Sequence, residues 1–368
     1  MILIRADANS NIGMGHVMRT LSIADALSSD TSFPTIISGK KDIKFVLADE
    51  MVADLIKSRG YEPIVLHTDY SHMEDEIEKW TELEDSIDAD LIIVDSYFVT
   101  ADYLSWLKEN IGFTAYIDDV LSFPYPVDVL VDYNAYATEE SYHALYGGKE
   151  EPELIIGPSF APLRSMFQDV PPKEQREEVK DVLLSTGGSD ELHIAANFVQ
   201  YLCELGTEDK TYHILLGAMN TDKEEIKALA SGMDRVIIHE NVQDMRGLIC
   251  SMDVIVSAAG STLYEICACG VPLITFSTAD NQFPGATAFS SLGLAINIGD
   301  LREPESRTVM SGTLAQGAIK KIVDAVDKLD KNERIEMVTK QRKVIDGHGA
   351  SRLAKKLLSR VSKNIKSL

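Results

Sequence analysis

Short, uninterrupted apolar runs alternate along this chain with longer segments in which apolar residues recur every three or four positions. A continuous apolar run has no helical face and suits a strand buried on both sides of a parallel sheet. The recurring pattern suits a helix laid over that sheet. In the first half the runs fall at residues 1–4 (MILI), 34–38 (PTIIS), 63–66 (PIVL), 90–95 (DLIIVD), 114–118 (TAYID), 128–132 (DVLVD) and 153–157 (ELIIG). A second series begins at 181–185 (DVLLS) and continues at 212–217 (YHILLG), 235–241 (RVIIHEN), 253–260 (DVIVSAAG), 272–277 (PLITFS) and 294–299 (LAINIG). Strands alternating with helices predict an α/β fold whose ligands sit at the C-terminal strand ends. Between the series, Pro171 and Pro172 interrupt any helix, and the charged stretch after them reads as a solvated connector. The pattern therefore predicts two doubly wound domains, residues 1–158 and 181–345, joined by a linker over 159–180. Residues 346–368 are expected to form a final helix against a domain surface.

Within that frame two stretches carry candidate chemistry. After the first strand, Asn9, Ser10 and Asn11 favour a turn, and Gly13 and Gly15 permit positive φ and close approach by a ligand. Val17, Leu21, Ala24 and Leu27 then recur on one helical face, which places His16 in the first helical turn. There the unpaired backbone amides disfavour an imidazolium and attract an anion, as a general base acting on an anionic substrate requires. Asp7, Asp95, Tyr97, Asp118, Asp119 and Asn134 all follow apolar runs, so the sheet brings them to the same edge. Each also has a simpler reading, because Asp and Asn at strand ends start turns and cap helices. The second stretch is 253–282, DVIVSAAGSTLYEICACGVPLITFSTADNQ. Gly260 admits close approach of a phosphate, Ser261 and Thr262 offer hydroxyls beside free helical amides, and Glu265 can accept from vicinal ribose hydroxyls. Thr262 and Glu265 also have the three-residue spacing of a capping box.

Composition narrows the ligand. At 368 residues the chain is long for one core, and 45% hydrophobic with 25% charged residues is an ordinary soluble composition. No apolar run approaches the roughly 18 residues needed to cross a bilayer, and the start has no basic and apolar leader, so a cytoplasmic protein is expected. The four cysteines, Cys203, Cys250, Cys267 and Cys269, lack C-x-x-C spacing and read as reduced thiols. No His, Cys and carboxylate cluster has metal-ligand spacing, and neither a P-loop nor G-x-G-x-x-G is present, so no metal or other cofactor is expected. A formal charge of −23 argues against nucleic acid or an anionic membrane as partner. A phosphate site on so acidic a chain must be local, built from amides and hydroxyls.

The run D-A-N-S-N-I-G-M-G-H-V-M-R, from Asp7 to Arg19, resembles the N-terminal signature of the UDP-sugar hydrolases of pseudaminic acid biosynthesis. Those enzymes are relatives of the UDP-N-acetylglucosamine transferases of peptidoglycan assembly. G-S-T-x-x-E followed by C-G-V-P-L-I and A-D-N-Q is similar to the nucleotide-sugar segment of the same superfamily. The resemblance covers roughly residues 1–20, 90–165, 183–190 and 257–285. It implies two Rossmann-like domains facing a cleft, the B-type glycosyltransferase fold. It also implies His16 as catalytic base, with Gly13, Gly15 and Arg19 from the same signature, Tyr97 of D-S-Y, and Arg164 in A-P-L-R before the second domain; Asp118 and Asn134 are substrate-binding candidates by their position at strand ends. Gly187, Gly188 and Ser189 would then help hold the diphosphate with Gly260, Ser261 and Thr262. Glu265 would bind the ribose, the segment 240–245 around Val242 the uracil, and Asn281 with Gln282 the sugar. The implied reaction is metal-independent, inverting hydrolysis of UDP-2,4-diacetamido-2,4,6-trideoxy-β-L-altropyranose at the anomeric C–O bond. By position, Asp7 or Asp118 is the expected partner that orients the imidazole. A transferase using the same donor site and a nucleotide-sugar-binding protein without turnover are the alternatives, and the oligomeric state is open.

Overall fold

Ile2, Leu3, Ile4 and Ala6 are fully buried, as a run without a polar face requires, and they form β1 (Ile2–Ala6) in the middle of a parallel sheet. The computed structural model describes residues 1–9, 12–32, 39–84, 87–207, 209–302 and 316–367. Its chain divides into two compact units, Met1–Ser165 with Gly347–Leu368, and Met166–Asp346.

In the first unit, β1 pairs on one side with β2 (Ile43–Leu47), which leads to β3 (Glu62–Val65). On its other side it pairs with β4 (Leu91–Asp95), followed by β5 (Phe113–Ile117), β6 (Val129–Asp132) and β7 (Glu153–Ile156). The order is β3-β2-β1-β4-β5-β6-β7, so the direction of winding reverses between β1 and β4. At such a reversal the loops after the two strands part and leave a crevice at their C-terminal ends. Leu3, Ile92, Val94 and Leu130 pack with Trp80, Tyr103, Leu107 and Tyr142 in one apolar core. The final helix, Gly349–Ser367, lies against the helix Gly15–Ser29. Its start is fixed by Gly349, where a Cβ would come within 2.1 Å of the Ala161 carbonyl, and by Arg352, which donates to the Ser159 carbonyl at 2.6 Å.

The expected strand at 34–38 lies outside the described residues. The strand beside β1 is Ile43–Leu47, an apolar run hidden in the sequence by the Lys-Lys-Asp before it and by Lys44 within it.

The second unit repeats the winding. β8 (Asp181–Ser185), β9 (Thr211–Leu215), β10 (Val236–His239), β11 (Val254–Ala258), β12 (Leu273–Ser277) and β13 (Ile296–Asp300) form a parallel sheet in the order β10-β9-β8-β11-β12-β13, with its reversal between β8 and β11. The charged stretch before β8 is tied down as well as solvated. Buried Asp253 accepts from the Lys180 and Asp181 amides at 2.9 and 3.1 Å and from Arg176 at 3.0 Å. No helix among the described residues is long and apolar enough to cross a membrane.

Candidate functional site

His16 sits one residue inside the helix Gly15–Ser29, which starts at the C-terminal end of β1, and Asp95 ends β4 across the reversal. The register aligns Ala6 with Asp95. This brings the carboxylate to the imidazole, with His16 Nδ1 and Asp95 Oδ1 2.6 Å apart. Arg19, one helical turn beyond His16, grips the same carboxylate through Nε at 2.6 Å and Nη2 at 2.5 Å. Burial alone would push Asp95 up, but Arg19 and His16 more than offset it and hold the carboxyl below its usual range. An ionised Asp95 can only accept, so the shorter of the two contacts at Nδ1 favours a neutral ring with its proton on Nδ1 and its lone pair on Nε2; Arg19 Nη2 also approaches Nδ1, at 3.1 Å. Nε2 makes no hydrogen bond among the described residues. The Tyr97 ring stands edge-on to the imidazole at 4.4 Å, itself 49% exposed, and burial of its hydroxyl beside Asp119 pushes that group up to about 12.

Asp7 and Asp118, the expected partners of His16, are occupied elsewhere. Asp7 takes Arg5 Nη1 at 2.5 Å and the Ala48 amide at 2.8 Å. Arg5 is fully buried inside β1 and also binds Glu76, so Asp7 neutralises a cation within the core. Asp118 accepts from the Val120 and Leu121 amides and from Tyr125 and Tyr142, which makes it the anchor of a tight turn. Its neighbour Asp119 reaches the site instead: it pairs with Arg19 at 2.6 Å and accepts from Asn134 Nδ2 at 2.9 Å. Of the two glycines that permit positive φ, Gly13 adopts it (φ 73°), with its amide on the Asn9 carbonyl at 2.8 Å, while Gly15 opens the helix.

Behind Asn134, the Tyr142 hydroxyl lies 2.8 Å from Asp118 and 2.9 Å from Asp132. One hydroxyl has one proton, so both contacts are satisfied only if one carboxyl is protonated. Both oxygens of Asp118 accept from other donors, whereas Asp132 accepts from Asn134 at Oδ1 only, which leaves the proton on Asp132 Oδ2, and burial does push Asp132 up to about 7. Its folded value thus exceeds the ordinary value of about 3.9. From about pH 4 to about pH 7 the folded chain holds a proton that the unfolded chain has lost, so stability falls as pH rises through this window. The loss is of the order of 4 kcal/mol, at about 1.4 kcal/mol per pH unit. Urea unfolding of the wild type should show this component, and Asp132→Asn should lack it; identical pH profiles would place the proton elsewhere.

In the second unit, Gly187 and Gly188 turn away from the end of β8, and Ser261 with Thr262 opens the helix Thr262–Cys269 after β11, so both segments stand at the reversal. Gly187 has φ 89°, and a Cβ at Gly217, after β9, would come within 2.2 Å of the Gly187 carbonyl. Gly187, Gly188, Gly260 and Ser261 are exposed, and Ser189, Val242, Thr262, Glu265 and Gln282 are half-buried. The capping box suggested by spacing does not form: Ser261 is the N-cap residue, which puts Glu265 one position too far, and the Ser261 side chain makes no capping bond. Gln282 Oε1 is held by the Thr278 amide at 2.7 Å, while Asn281 is exposed. Among the described residues no group of three or more His, Cys, Asp or Glu is placed to hold a metal ion.

Two parallel sheets wound about such reversals, each with an open glycine turn at its centre, define the B-type glycosyltransferase fold. The crystal structure of Acinetobacter baumannii MurG matches with a TM-score of 0.64 at 13% identity, over 98% of this chain and 99% of that one. No protein-family model matches the chain. In sequence it is similar to the UDP-2,4-diacetamido-2,4,6-trideoxy-β-L-altropyranose hydrolase of Campylobacter jejuni, with 28% identity over 247 residues, 66% of this chain and 79% of the hydrolase. It is also similar to an uncharacterised protein of Methanocaldococcus jannaschii, with 26% identity over 288 residues, 74% of this chain and 54% of that protein. The chain thus spans about half the length of the archaeal relative.

Proposed function

We propose that this chain hydrolyses a UDP-activated 2,4-diacetamido-2,4,6-trideoxyhexose at the anomeric C–O bond, with inversion, in pseudaminic acid biosynthesis. The observation that carries the reading is the Arg19–Asp95–His16 array at the β1/β4 reversal, with Nδ1 of the imidazole engaged at 2.6 Å and Nε2 left for a water. UDP is already a good leaving group, so the protein has two tasks: to stabilise the departing diphosphate and to deprotonate water on the opposite face of the anomeric carbon. His16 does the second. As water attacks, its proton passes to Nε2, the C–O bond to UDP breaks, and the imidazolium is stabilised by Asp95. Gly188, Ser189, Ser261 and Thr262 do the first through amides and hydroxyls, with no metal or other cofactor. Glu265 takes the ribose, Val242 and its neighbours the uracil, and Asn281 with Gln282 the sugar. The Campylobacter hydrolase, related across two thirds of this chain, supports the substrate class.

Glu265→Ala should weaken UDP binding by about 1–3 kcal/mol, the usual cost of removing a charged acceptor. Calorimetric titration checks this, and an unchanged affinity in the folded variant would remove Glu265 from the nucleotide site. The activity is tested by incubating the chain, in EDTA and without any acceptor, with a panel of UDP-diacetamido sugars and following UDP and free sugar by NMR. Equal release of both supports hydrolysis. Release that requires an added hydroxyl acceptor would assign a transferase, and UDP-induced stabilisation with no product would assign a binding protein.

A further inference from the structure

Among the described residues of the first unit, every exposed large hydrophobic side chain stands on a loop that follows a strand, and none stands at the opposite edge of the sheet. Five of them flank the reversal: Met14 after β1, Tyr97 after β4, Val120 and Leu121 after β5, and Tyr136 after β6. Val120 and Leu121, 51% and 39% exposed, take no part in the Arg19–Asp95–His16 array. Resting on the UDP-sugar reading above, we propose that these two residues determine sugar specificity: their side chains cover the methyl groups that the sugar carries on its C4 acetamido group and at C6.

The turn that presents them is fixed from the inside. Fully buried Asp118 accepts from the Val120 amide at 2.8 Å and the Leu121 amide at 3.0 Å, and Tyr125 and Tyr142 donate to it at 2.9 and 2.8 Å. So held, Leu121 has φ 53°, a left-handed conformation that glycine or asparagine adopts at lower cost. An exposed leucine in that conformation is disfavoured twice, by apolar surface left in water and by its backbone, which marks a side chain kept for contact with something outside the fold. Asp119, between Asp118 and Val120, ties the turn to the array. Its carboxylate pairs with Arg19 at 2.6 Å and accepts from the Tyr97 hydroxyl at 3.5 Å, and its carbonyl accepts from Tyr136 at 3.4 Å. The apolar pair therefore adjoins the groups proposed to act on the sugar. That sugar has acetamido groups at C2 and C4 and no hydroxyl at C6, so it offers methyl groups where an ordinary hexose offers hydroxyls. Covering them with Val120 and Leu121 removes apolar surface from water on both sides. Hydroxyls in their place would give up water for side chains that neither donate nor accept. The pair thus discriminates as well as binds.

The test is calorimetric titration of the full chain carrying His16→Asn, in which a sugar nucleotide outlasts the measurement. Three ligands are compared: UDP, UDP-2,4-diacetamido-2,4,6-trideoxy-β-L-altropyranose, and the UDP-2-acetamido-2-deoxyhexose of the same configuration, which has hydroxyls at C4 and C6. The diacetamido ligand should bind about 10- to 100-fold more tightly than the dihydroxy one, and adding Val120→Ser with Leu121→Asn should bring the two within about threefold, with UDP affinity unchanged. Because asparagine tolerates the left-handed backbone, Leu121→Asn alone should not lower the midpoint of urea unfolding. An unchanged affinity ratio in the folded double variant would overturn the proposal. So would equal binding of the two sugar nucleotides before the double substitution, or an equal loss of affinity for all three ligands after it. A His16→Asn chain that binds no UDP would instead refute the nucleotide-sugar reading, and the role of Val120 and Leu121 would fall with it.

Discussion

Replacing His16 by asparagine should lower the rate of UDP-sugar hydrolysis by about 10²- to 10⁴-fold, the range expected when a positioned general base is removed. The affinity for UDP should be unchanged, because the residues proposed to hold the nucleotide, from Gly187 to Gln282, belong to the second unit. Folding should also survive. Asparagine can place a polar atom near Asp95 and is common at helix starts, although the imidazole is nearly buried. A purely structural histidine predicts the reverse, a lower unfolding midpoint with full turnover in the remaining folded fraction. Turnover, UDP titration and denaturant unfolding on one preparation separate the two.

Asp95→Asn should cost a comparable factor, about 10²- to 10⁴-fold, by a different route. The ionised carboxylate can only accept, so it fixes the proton on Nδ1 and leaves Nε2 as base. An amide in its place can donate to Nδ1, which moves the ring proton to Nε2 and removes the base while keeping every heavy atom near its position. The variant should also be less stable, because Arg19, 12% exposed at its side chain, loses one of its two carboxylate partners. Breaking a buried ion pair costs about 3–5 kcal/mol. Turnover is therefore compared per folded molecule under conditions where unfolding is complete for neither protein. Wild-type turnover in the folded Asp95→Asn variant would mean that this carboxylate serves only to hold Arg19.

The doubly wound class of both sheets was legible because most of the strands are runs with no polar face that alternate with helical patterns, and β1 and β8 are each followed by a glycine-containing turn and a helix. The position of His16 was legible for the same local reason: Val17, Leu21, Ala24 and Leu27 set the helical face and the turn sets its start. Its carboxylate partner was not. Asp95 is 79 positions away, and only the β1/β4 register brings it to the ring, whereas Asp7 is near in sequence but turned toward Arg5. A signal for the second half of that difference was present. Arg5 stands in an otherwise apolar strand, and Asp7, two residues on, projects from the same face; a buried cation needs such a partner. The exchange of Asp118 for Asp119 has a similar origin, since adjacent residues after a strand point in opposite directions and sequence alone does not say which one enters the turn. Tyr142 and Asp132 were missed because their shared proton depends on two carboxylates and a phenol meeting from separate elements. The strand Ile43–Leu47 was concealed by its charged lead-in, while in the second unit the start of a helix at Ser261 and Thr262 was legible because loop and helix are contiguous.

Attack on the anomeric carbon by a water activated by His16 is read out by running the reaction in H₂¹⁸O with mass analysis of both products. ¹⁸O should appear on the anomeric oxygen of the free sugar and not in UDP. Label in the diphosphate of UDP would mean attack at phosphorus and would contradict the role assigned to His16.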